Sequence, residues 1–496
     1  MHRLWVLVAV QAAIAAASLV VEIVAGRMLA PYVGMSLYTW TSVIAVVLAG
    51  FSAGHWLGGR LAERPPEAAL RANGWALLAA AATTAGAVFA LRAAAPAVIA
   101  ALPNPVGAIV VLSALVFFLP SFFAGIPAPI LSMIAVAGAS SGKGRALGAM
   151  FAAGAWGAIL GTLAAGFVFI SWLGSVGTLV TVAAVYAGLG VASLVSAGGL
   201  RGLGQGALVA LGPLVLSLGA LTRPDPCTVE SDYFCIRVIE DDSGPELARL
   251  MVLDHLVHGI ASPDPALLLT SHAMMLDALP RMRMQDRADW RAFLIGGGTY
   301  SVPRAWHAGH VPVAVTVAEL DPAVTEAARD WFWYEPGTDR ILNADARQAL
   351  ASDPARYDVI LGDAFGDIAV PQHLITREFF ALVRDRLTPG GVYLMNVIDH
   401  MDRLQVLASV VATARTVWPS VEVWTDPNHD PAETRRVFIL VAGETPSART
   451  RITNASGDAI RIAADSVQAI VDGRDPVIFT DDYAPIDRLL GDRGEG

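Results

Sequence analysis

Charge is nearly absent from the first 222 residues. The acids there are Glu22, Glu63 and Glu67, and the bases are Arg3, Arg27, Arg60, Arg64, Arg71, Arg92, Lys143, Arg145 and Arg201. The 496-residue chain holds 34 bases and 44 acids, so the remainder is strongly acidic. That imbalance argues against a nucleic-acid partner, because phosphate binding needs a cationic surface. It suits cationic small molecules, and it also serves plain solubility. Cysteine is scarce too. The two in the chain, Cys227 and Cys235, either close one disulfide in an oxidising compartment or are ordinary small residues on a strand and its approach. A cleavable signal peptide is not evident. The first apolar run, Leu4 to Ala25, is long enough to span a bilayer and lacks a polar, small-residue cleavage region. His255, His258, His272 and His310 show no compact ligand spacing, so no metal site is expected.

What is present in the first part is a series of apolar runs near the 20 or so residues needed to span a bilayer. They cover Leu4–Ala25, Leu37–Gly59, Ala72–Leu102, Val106–Val136, Ala146–Ile170 and Ser175–Val195, with a shorter one at Ala207–Leu221. A helical membrane domain of about seven spans over residues 1–222 is the reading. Pro120, Pro127 and Pro129 predict a kinked or broken helix. Gly50, Gly54 and Gly58, like Gly157 and Gly161, recur every four residues and let helices pack closely in lipid. Glu22 and Arg27 are costly near a membrane, so they pair or line a polar cavity that His55 also faces. The bases cluster in alternate loops, and the positive-inside rule puts those loops in the cytoplasm. An odd number of spans then carries the C-terminal part outside. If Ala207–Leu221 lies in the interface instead, that part stays inside.

From Arg223 onward strands and helices alternate, which argues for a mostly parallel sheet with helices on both faces. Residues 223–290 form a linker and an N-terminal β-hairpin region, Asp232–Glu240 with Leu247–Asp254. Residues 291–496 form a nucleoside-binding Rossmann-type domain. Strands are expected at Ala292–Ile295, Val313–Glu319, Ile341–Asn343, Tyr357–Gly362 and Val392–Val397. Helices are expected at Pro322–Trp333, Arg377–Leu387 and Arg403–Trp418, and the final pair Val421–Trp424 and Val437–Val441 is expected to be antiparallel.

Ligands of such sheets bind at the carboxyl ends of the strands, and four signals fall there in order. Gly296, Gly297 and Gly298 follow the first strand and let a backbone approach a ligand closely. No phosphate-binding lysine comes after them, which excludes a P-loop. Glu319 ends the next strand, placed to accept both ribose hydroxyl protons. Asp345 with small Ala346 suits an adenine amino group. Asp363 lies just past the fourth strand. Together these make an adenosyl-nucleoside site.

These motifs resemble the spermidine synthase (aminopropyltransferase) family, and more closely its bacterial membrane-fused branch. The matching pieces are Val252-Leu253-Asp254, the triple glycine, Glu319, Asp345, and Tyr357-Asp358-Val359-Ile360 with Asp363. They continue with Pro371-Gln372-His373-Leu374-Ile375-Thr376-Arg377-Glu378-Phe379-Phe380, Leu387-Thr388-Pro389-Gly390-Gly391 and Thr480-Asp481-Asp482-Tyr483-Ala484-Pro485. The resemblance implies a multi-pass protein of a bacterial plasma membrane with a class I methyltransferase-like domain. The donor implied is decarboxylated S-adenosylmethionine, a substrate and not a prosthetic group. An aminopropyl group would pass to a polyamine-type acceptor with release of methylthioadenosine, and a homodimer is common among relatives. Asp363 is implied as the base or amine-positioning acid, with Asp254, His258, Thr299, Asp367 and Tyr483 near the substrates.

The sequence also departs from the family. Thr299-Tyr300 replaces an aspartate that resembles a partner for the donor's terminal amine, so intact S-adenosylmethionine becomes admissible. His258 stands for a glutamine, Leu267–His272 for a tyrosine-rich acceptor segment, and Gly366, with Asp367 beside it, for a second aspartate. The alternatives are an S-adenosylmethionine-dependent methyltransferase or intramolecular cyclase, and a transporter or sensor regulated by its nucleoside domain. The donors implied by the family are made in the cytosol, which opposes the outward placement of the domain. The side stays open at this stage.

Overall fold

A computed structural model describes residues 4–102, 104–244, 246–365, 370–428 and 434–490. The chain divides into two compact units, Met1–Cys235 and Ile236–Gly496.

Among its described residues, the first unit contains five helices long and apolar enough to cross a membrane. They are α1 (Leu4–Val33), α2 (Leu37–Ala62), α3 (Pro66–Ala101), the pair α4 (Pro105–Gly125) and α5 (Pro127–Gly138), and a long stretch from Lys143 to Leu221. The break between α4 and α5 falls at Ile126, where Pro127 and Pro129 follow; a proline inside a helix removes a hydrogen bond and clashes with the preceding turn. The long stretch is α6 (Lys143–Ala164), a π-helical turn over Ala165–Phe169, and α7 (Ile170–Leu221). Two residues of α7 leave helical geometry: Gly174 (φ 66°, ψ 177°) and Gly199 (φ 56°, ψ −136°). The glycine stripes are packing devices. A Cβ on Gly54 would lie 2.2 Å from the Phe122 carbonyl oxygen of α4, and one on Gly157 would lie 2.2 Å from that of Ala12 on α1. Backbones that close cannot admit a side chain.

Arg27 does not turn to Glu22 as its partner. Its guanidinium donates to the backbone carbonyls of Tyr233 and Ser231, at 2.5 and 2.6 Å. The Ser175 amide and hydroxyl donate to the Glu230 carboxylate, within the short strand β1 (Val229–Glu230). Cys227 and Cys235 form a disulfide.

The second unit begins with an antiparallel meander of β2 (Cys235–Asp241), β3 (Ala248–Leu253) and β4 (Leu256–Ala261). The sequence reading found only its first two strands. The third follows because Asp254 takes a left-handed conformation, φ +53°, and turns the chain in two residues. Helix α8 (Ser271–Arg283), which the sequence reading also lacked, leads into the main sheet.

Among the described residues that sheet has nine strands: β5 (Trp290–Ile295), β6 (Val313–Ala318), β7 (Arg340–Leu342), β8 (Tyr357–Gly362), β9 (Leu387–His400), β10 (Ser420–Thr425), β11 (Arg435–Gly443), β12 (Arg451–Asn454) and β13 (Gly457–Arg461). Their order across it is β12-β13-β10-β11-β9-β8-β5-β6-β7. β7, β6, β5, β8 and β9 run parallel, and β11 pairs antiparallel with both β9 and β10. This is a Rossmann-type, methyltransferase-like α/β fold. β8 is buried along its whole length, as expected of a strand covered on both faces. Its one acid near the start, Asp358, is satisfied by Arg287, the Arg291 amide at 2.8 Å and Thr388 at 2.6 Å.

The helices between strands are α9 (Ser301–Ala308), α10 (Pro322–Trp331), α11 (Ala346–Ser352), α12 (Arg377–Arg386) and α13 (Gln405–Arg415), with α14 (Ala464–Asp472) and α15 (Ile486–Leu490) near the end. α10 stops at Trp331, short of the expected Trp333, because Trp333 itself adopts φ +55°. The core includes Phe293, Ile360, Phe379, Phe380 and Trp418, each essentially removed from solvent. Burying an aromatic or branched side chain of this kind contributes about 1.5–3 kcal/mol.

Candidate active site

Strand order places the site. The chain adds β6 and β7 on one side of β5, then returns to add β8 and β9 on the other. The crossovers therefore part between β5 and β8, and the loops leaving their carboxyl ends diverge to open a crevice. Gly296 lies in the first of those loops and Asp363 in the second. Backbone hydrogen bonds hold both at the sheet: the Asp363 amide donates to the carbonyl of Ile295, the residue before Gly296, at 3.0 Å, and the Gly296 amide to that of Ala318 on β6 at 2.9 Å. Gly296 has φ +89°, and a Cβ there would lie 2.5 Å from the Asp363 carbonyl oxygen.

Glu319 closes the other side of the loop. One carboxylate oxygen accepts the Gly297 amide at 2.8 Å and the other accepts the Asp321 amide at 3.0 Å. The residue is 8% exposed. Burial raises its pKa above the usual carboxylate value, and the backbone donors offset part of that rise. Gly297 fits above an aromatic ring, since a Cβ on it would meet the Tyr300 ring at 2.4 Å. Tyr300, with φ +54°, stacks on Tyr334 at 4.1 Å and shares a 2.7 Å hydrogen bond with Thr325.

The meander covers the same loop. On β4, a Cβ on Gly259 would lie 2.7 Å from Thr299, and one on Gly298 would come 3.7 Å from the His258 carbonyl. Thr299 is buried and its hydroxyl pairs with that of Ser301 at 2.7 Å. His258 is half-buried, its Nδ1 3.0 Å from the Leu256 carbonyl oxygen. Asp254 sits in the β3–β4 turn, buried, its carbonyl accepting from Arg237 at 2.8 Å.

Asp345 caps α11. One oxygen accepts the Gln348 amide at 2.9 Å, and the other pairs with His373 Nε2 at 2.7 Å. Ala346, the first residue of α11, is buried. Tyr483 is half-exposed and its hydroxyl accepts from Arg488 at 2.8 Å. Asp367 lies outside the described residues. Gly296, Gly297, Glu319 and Asp363 thus form one connected group, with Thr299 and His258 beside it, while Asp345 joins a separate network.

Two contacts of the site are not legible in the sequence. The first is Asn396 on β9. Its amide nitrogen donates to an Asp363 carboxylate oxygen at 2.9 Å, and its own oxygen is buried without a hydrogen-bond partner among the described residues. A lone amide in the apolar run Val392–Val397 was the available signal. The second is a latch from the tail. Asp481 accepts both guanidinium nitrogens of Arg347, at 2.7 and 2.6 Å, and the Thr376 hydroxyl at 2.7 Å. Arg347 also reaches the His373 carbonyl at 3.1 Å. The Arg347 hydrogen bonds hold the Asp481 pKa down at about 2.

Comparison with known proteins gives consistent relatives. No family model matches the chain. A probable polyamine aminopropyl transferase of Bifidobacterium longum is 34% identical over 120 residues, 24% of this chain and 26% of that protein. A polyamine aminopropyltransferase of Vibrio vulnificus is 34% identical over 113 residues, 22% of this chain and 38% of its own. The matches thus span well under half the length of these relatives. Among solved structures, a probable spermidine synthase from Corynebacterium glutamicum is 24% identical with a TM-score of 0.46, covering 53% of this chain and 99% of that one. Over the matched stretches the chain is similar in sequence to polyamine aminopropyltransferases.

Proposed function

We propose that the α/β unit is a spermidine synthase-like transferase acting on an adenosyl sulfonium donor, carried by a first unit that spans a bacterial plasma membrane. The observation that carries this reading is the hydrogen-bonded group at the parting of β5 and β8: Glu319 on one side of Gly296, Asp363 and Asn396 on the other. Glu319 takes the ribose hydroxyls. Asp345 takes the adenine amino group with Ala346 beneath the ring, and to do so its outer oxygen must be shared with His373 or released by it.

Asp363 faces the sulfonium end. A protonated amine is no nucleophile, so the acceptor has to lose a proton, and a carboxylate beside it holds the amine and accepts that proton. The amine nitrogen then bonds to the carbon of the three-carbon arm attached to sulfur. The carbon–sulfur bond breaks, its electrons stay on sulfur, and neutral methylthioadenosine leaves. The cationic leaving group supplies the driving force, so the protein chiefly orients an in-line displacement. Asn396 fixes the Asp363 carboxylate with its N–H, and its unpartnered oxygen is suited to accept a second N–H from the amine.

The donor's tail remains the point of choice. Thr299 stands where the family carries an acid, and its hydroxyl is occupied by Ser301. Without an acid there to repel the donor's own carboxylate, intact S-adenosylmethionine is admitted, which favours methyl or amino-carboxypropyl transfer as a second reading. Purified protein supplied with each donor separately distinguishes them by the nucleoside released: methylthioadenosine for chemistry at the three-carbon arm, S-adenosylhomocysteine for methylation. Asp363→Asn should abolish turnover while donor binding stays within a few-fold. Undiminished turnover removes Asp363 from its role, and binding without any product leaves a sensor.

A further inference from the structure

We infer that the nucleoside-binding unit lies on the non-cytoplasmic side of the membrane, sealed at its root by the Cys227–Cys235 disulfide. The inference rests on the membrane reading of the first unit and is independent of the reaction assigned above.

The first step is the number of crossings. Gly174 and Gly199 both leave helical geometry, so the stretch from Lys143 to Leu221 is three rods and not one. The last two fold back on each other. A Cβ on Gly202 would lie 2.1 Å from the Leu194 carbonyl, and one on Gly206 would lie 3.4 Å from Val191 Cα, an antiparallel register around Gly199. Both rods also align with α3. Near one end of α3, Asn73 donates to the Ser193 hydroxyl at 2.9 Å. Toward the other, a Cβ on Gly219 would meet the Phe89 ring at 3.3 Å, and the Arg223 guanidinium sits 4.7 Å from that ring's centroid. The unit thus crosses seven times, and residue 223 emerges at the end opposite the Gly199 turn.

The second step is charge. The α2–α3 loop, the α5–α6 loop and the Gly199 turn share one end and bring Arg60, Arg64, Arg71, Lys143, Arg145 and Arg201 to it. At the other end are Arg27, Arg92 and Arg223, and Arg27 is already occupied by the Ser231 and Tyr233 carbonyls. The positive-inside rule assigns the first end to the cytoplasm.

The third step is the disulfide. Glu230, bound by Ser175 at the turn from the fifth to the sixth rod, and the carbonyls held by Arg27 fix residues 230–233 at the second end. A small cavity there is lined by Arg27, Arg92, Ser175, Cys227 and Glu230. The bonded cysteines lie at the end with few bases, where an oxidising compartment preserves the bond. Charge and redox chemistry are independent, and they select the same side. Beyond residue 235, no described helix is long and apolar enough to bring the chain back. A cytosolic donor would then need a step that moves a cationic nucleoside across the membrane before this site can use it.

The test uses the full chain in bacterial cells. Fused at its C-terminus, alkaline phosphatase should be active and green fluorescent protein dark. Without reductant, denatured protein should resist a polyethylene-glycol maleimide, and after reduction it should take up two. In Cys235→Ser, the remaining Cys227, which is partly exposed while Cys235 is buried, should react with a membrane-impermeant maleimide in intact spheroplasts. A fluorescent fusion, thiols that react without reduction, or a Cys227 protected until lysis overturns the placement. None of these readouts depends on turnover, so failure here leaves the enzymatic reading untouched, and the reverse holds too.

Discussion

Replacing Gly296 by alanine tests whether the glycine loop sets the position of Asp363. Two costs can be separated from the structure. The backbone has φ +89°, in the region where an L-residue costs roughly 1–2 kcal/mol. The new Cβ also falls 2.5 Å from the Asp363 carbonyl oxygen, half an ångström inside the 3.0 Å that real Cβ contacts essentially never undercut. The obstructing atom is backbone, so the relief has to come from moving Asp363 itself. A misplacement of about 1 Å costs about a hundredfold in rate, so half that distance predicts a loss of about tenfold. Gly298→Ala is the control. It shares the positive φ, +52°, but its Cβ would meet nothing closer than the His258 carbonyl at 3.7 Å. Thermal unfolding, donor titration and release of the nucleoside product should be measured for both. Both variants should lose stability through the positive φ, Gly296→Ala the more because of its clash, and only Gly296→Ala should lose kcat. Equal loss of kcat in the two variants, or full kcat in Gly296→Ala, refutes the idea that the loop positions the acid.

Glu319 gives a prediction in pH. Burial holds its pKa above the ordinary 4.5, and the ribose is bound by the ionised form. Donor affinity should therefore weaken as pH falls through that raised value, sooner than an exposed glutamate would allow, and Glu319→Gln should bind weakly with no such dependence. An unchanged pH profile in that variant removes Glu319 from the ribose. The Asp481 latch behaves in the opposite sense. Its pKa is lowered from 3.8 to about 2, so its contribution is complete above pH 3.8 and fades only as pH approaches 2. Amide exchange at Tyr483 should stay slow down to about pH 4, and Arg347→Met should both speed it and move its loss toward 3.8; equal exchange in the variant means the ion pair holds nothing.

Residues legible in the sequence are those whose neighbours along the chain reveal them. Val313–Ala318 reads as a buried strand because its apolar run is local, and Glu319 is conspicuous because it ends that run. Asn396 meets Asp363 only after β9 pairs with β8, across 33 residues of sequence, so nothing near it announces the contact. Asp481 and Arg347 are 134 residues apart and join only in the folded unit. The β3–β4 turn was hidden for a different reason: a left-handed aspartate is uncommon enough that a strand ending in Leu253-Asp254 reads as finished. Trp333 ended α10 early by the same device.

The ring of Tyr300 beneath Gly297 ties the histories of two positions. Whatever fills position 300 decides whether position 297 is free to carry a side chain, so a smaller residue at 300 would release 297 and a side chain at 297 would evict the ring. Change at either alone opens a void or forces a collision on the floor of the crevice. The two are therefore expected to drift together, as a single unit of substitution, in any lineage that remodels this loop.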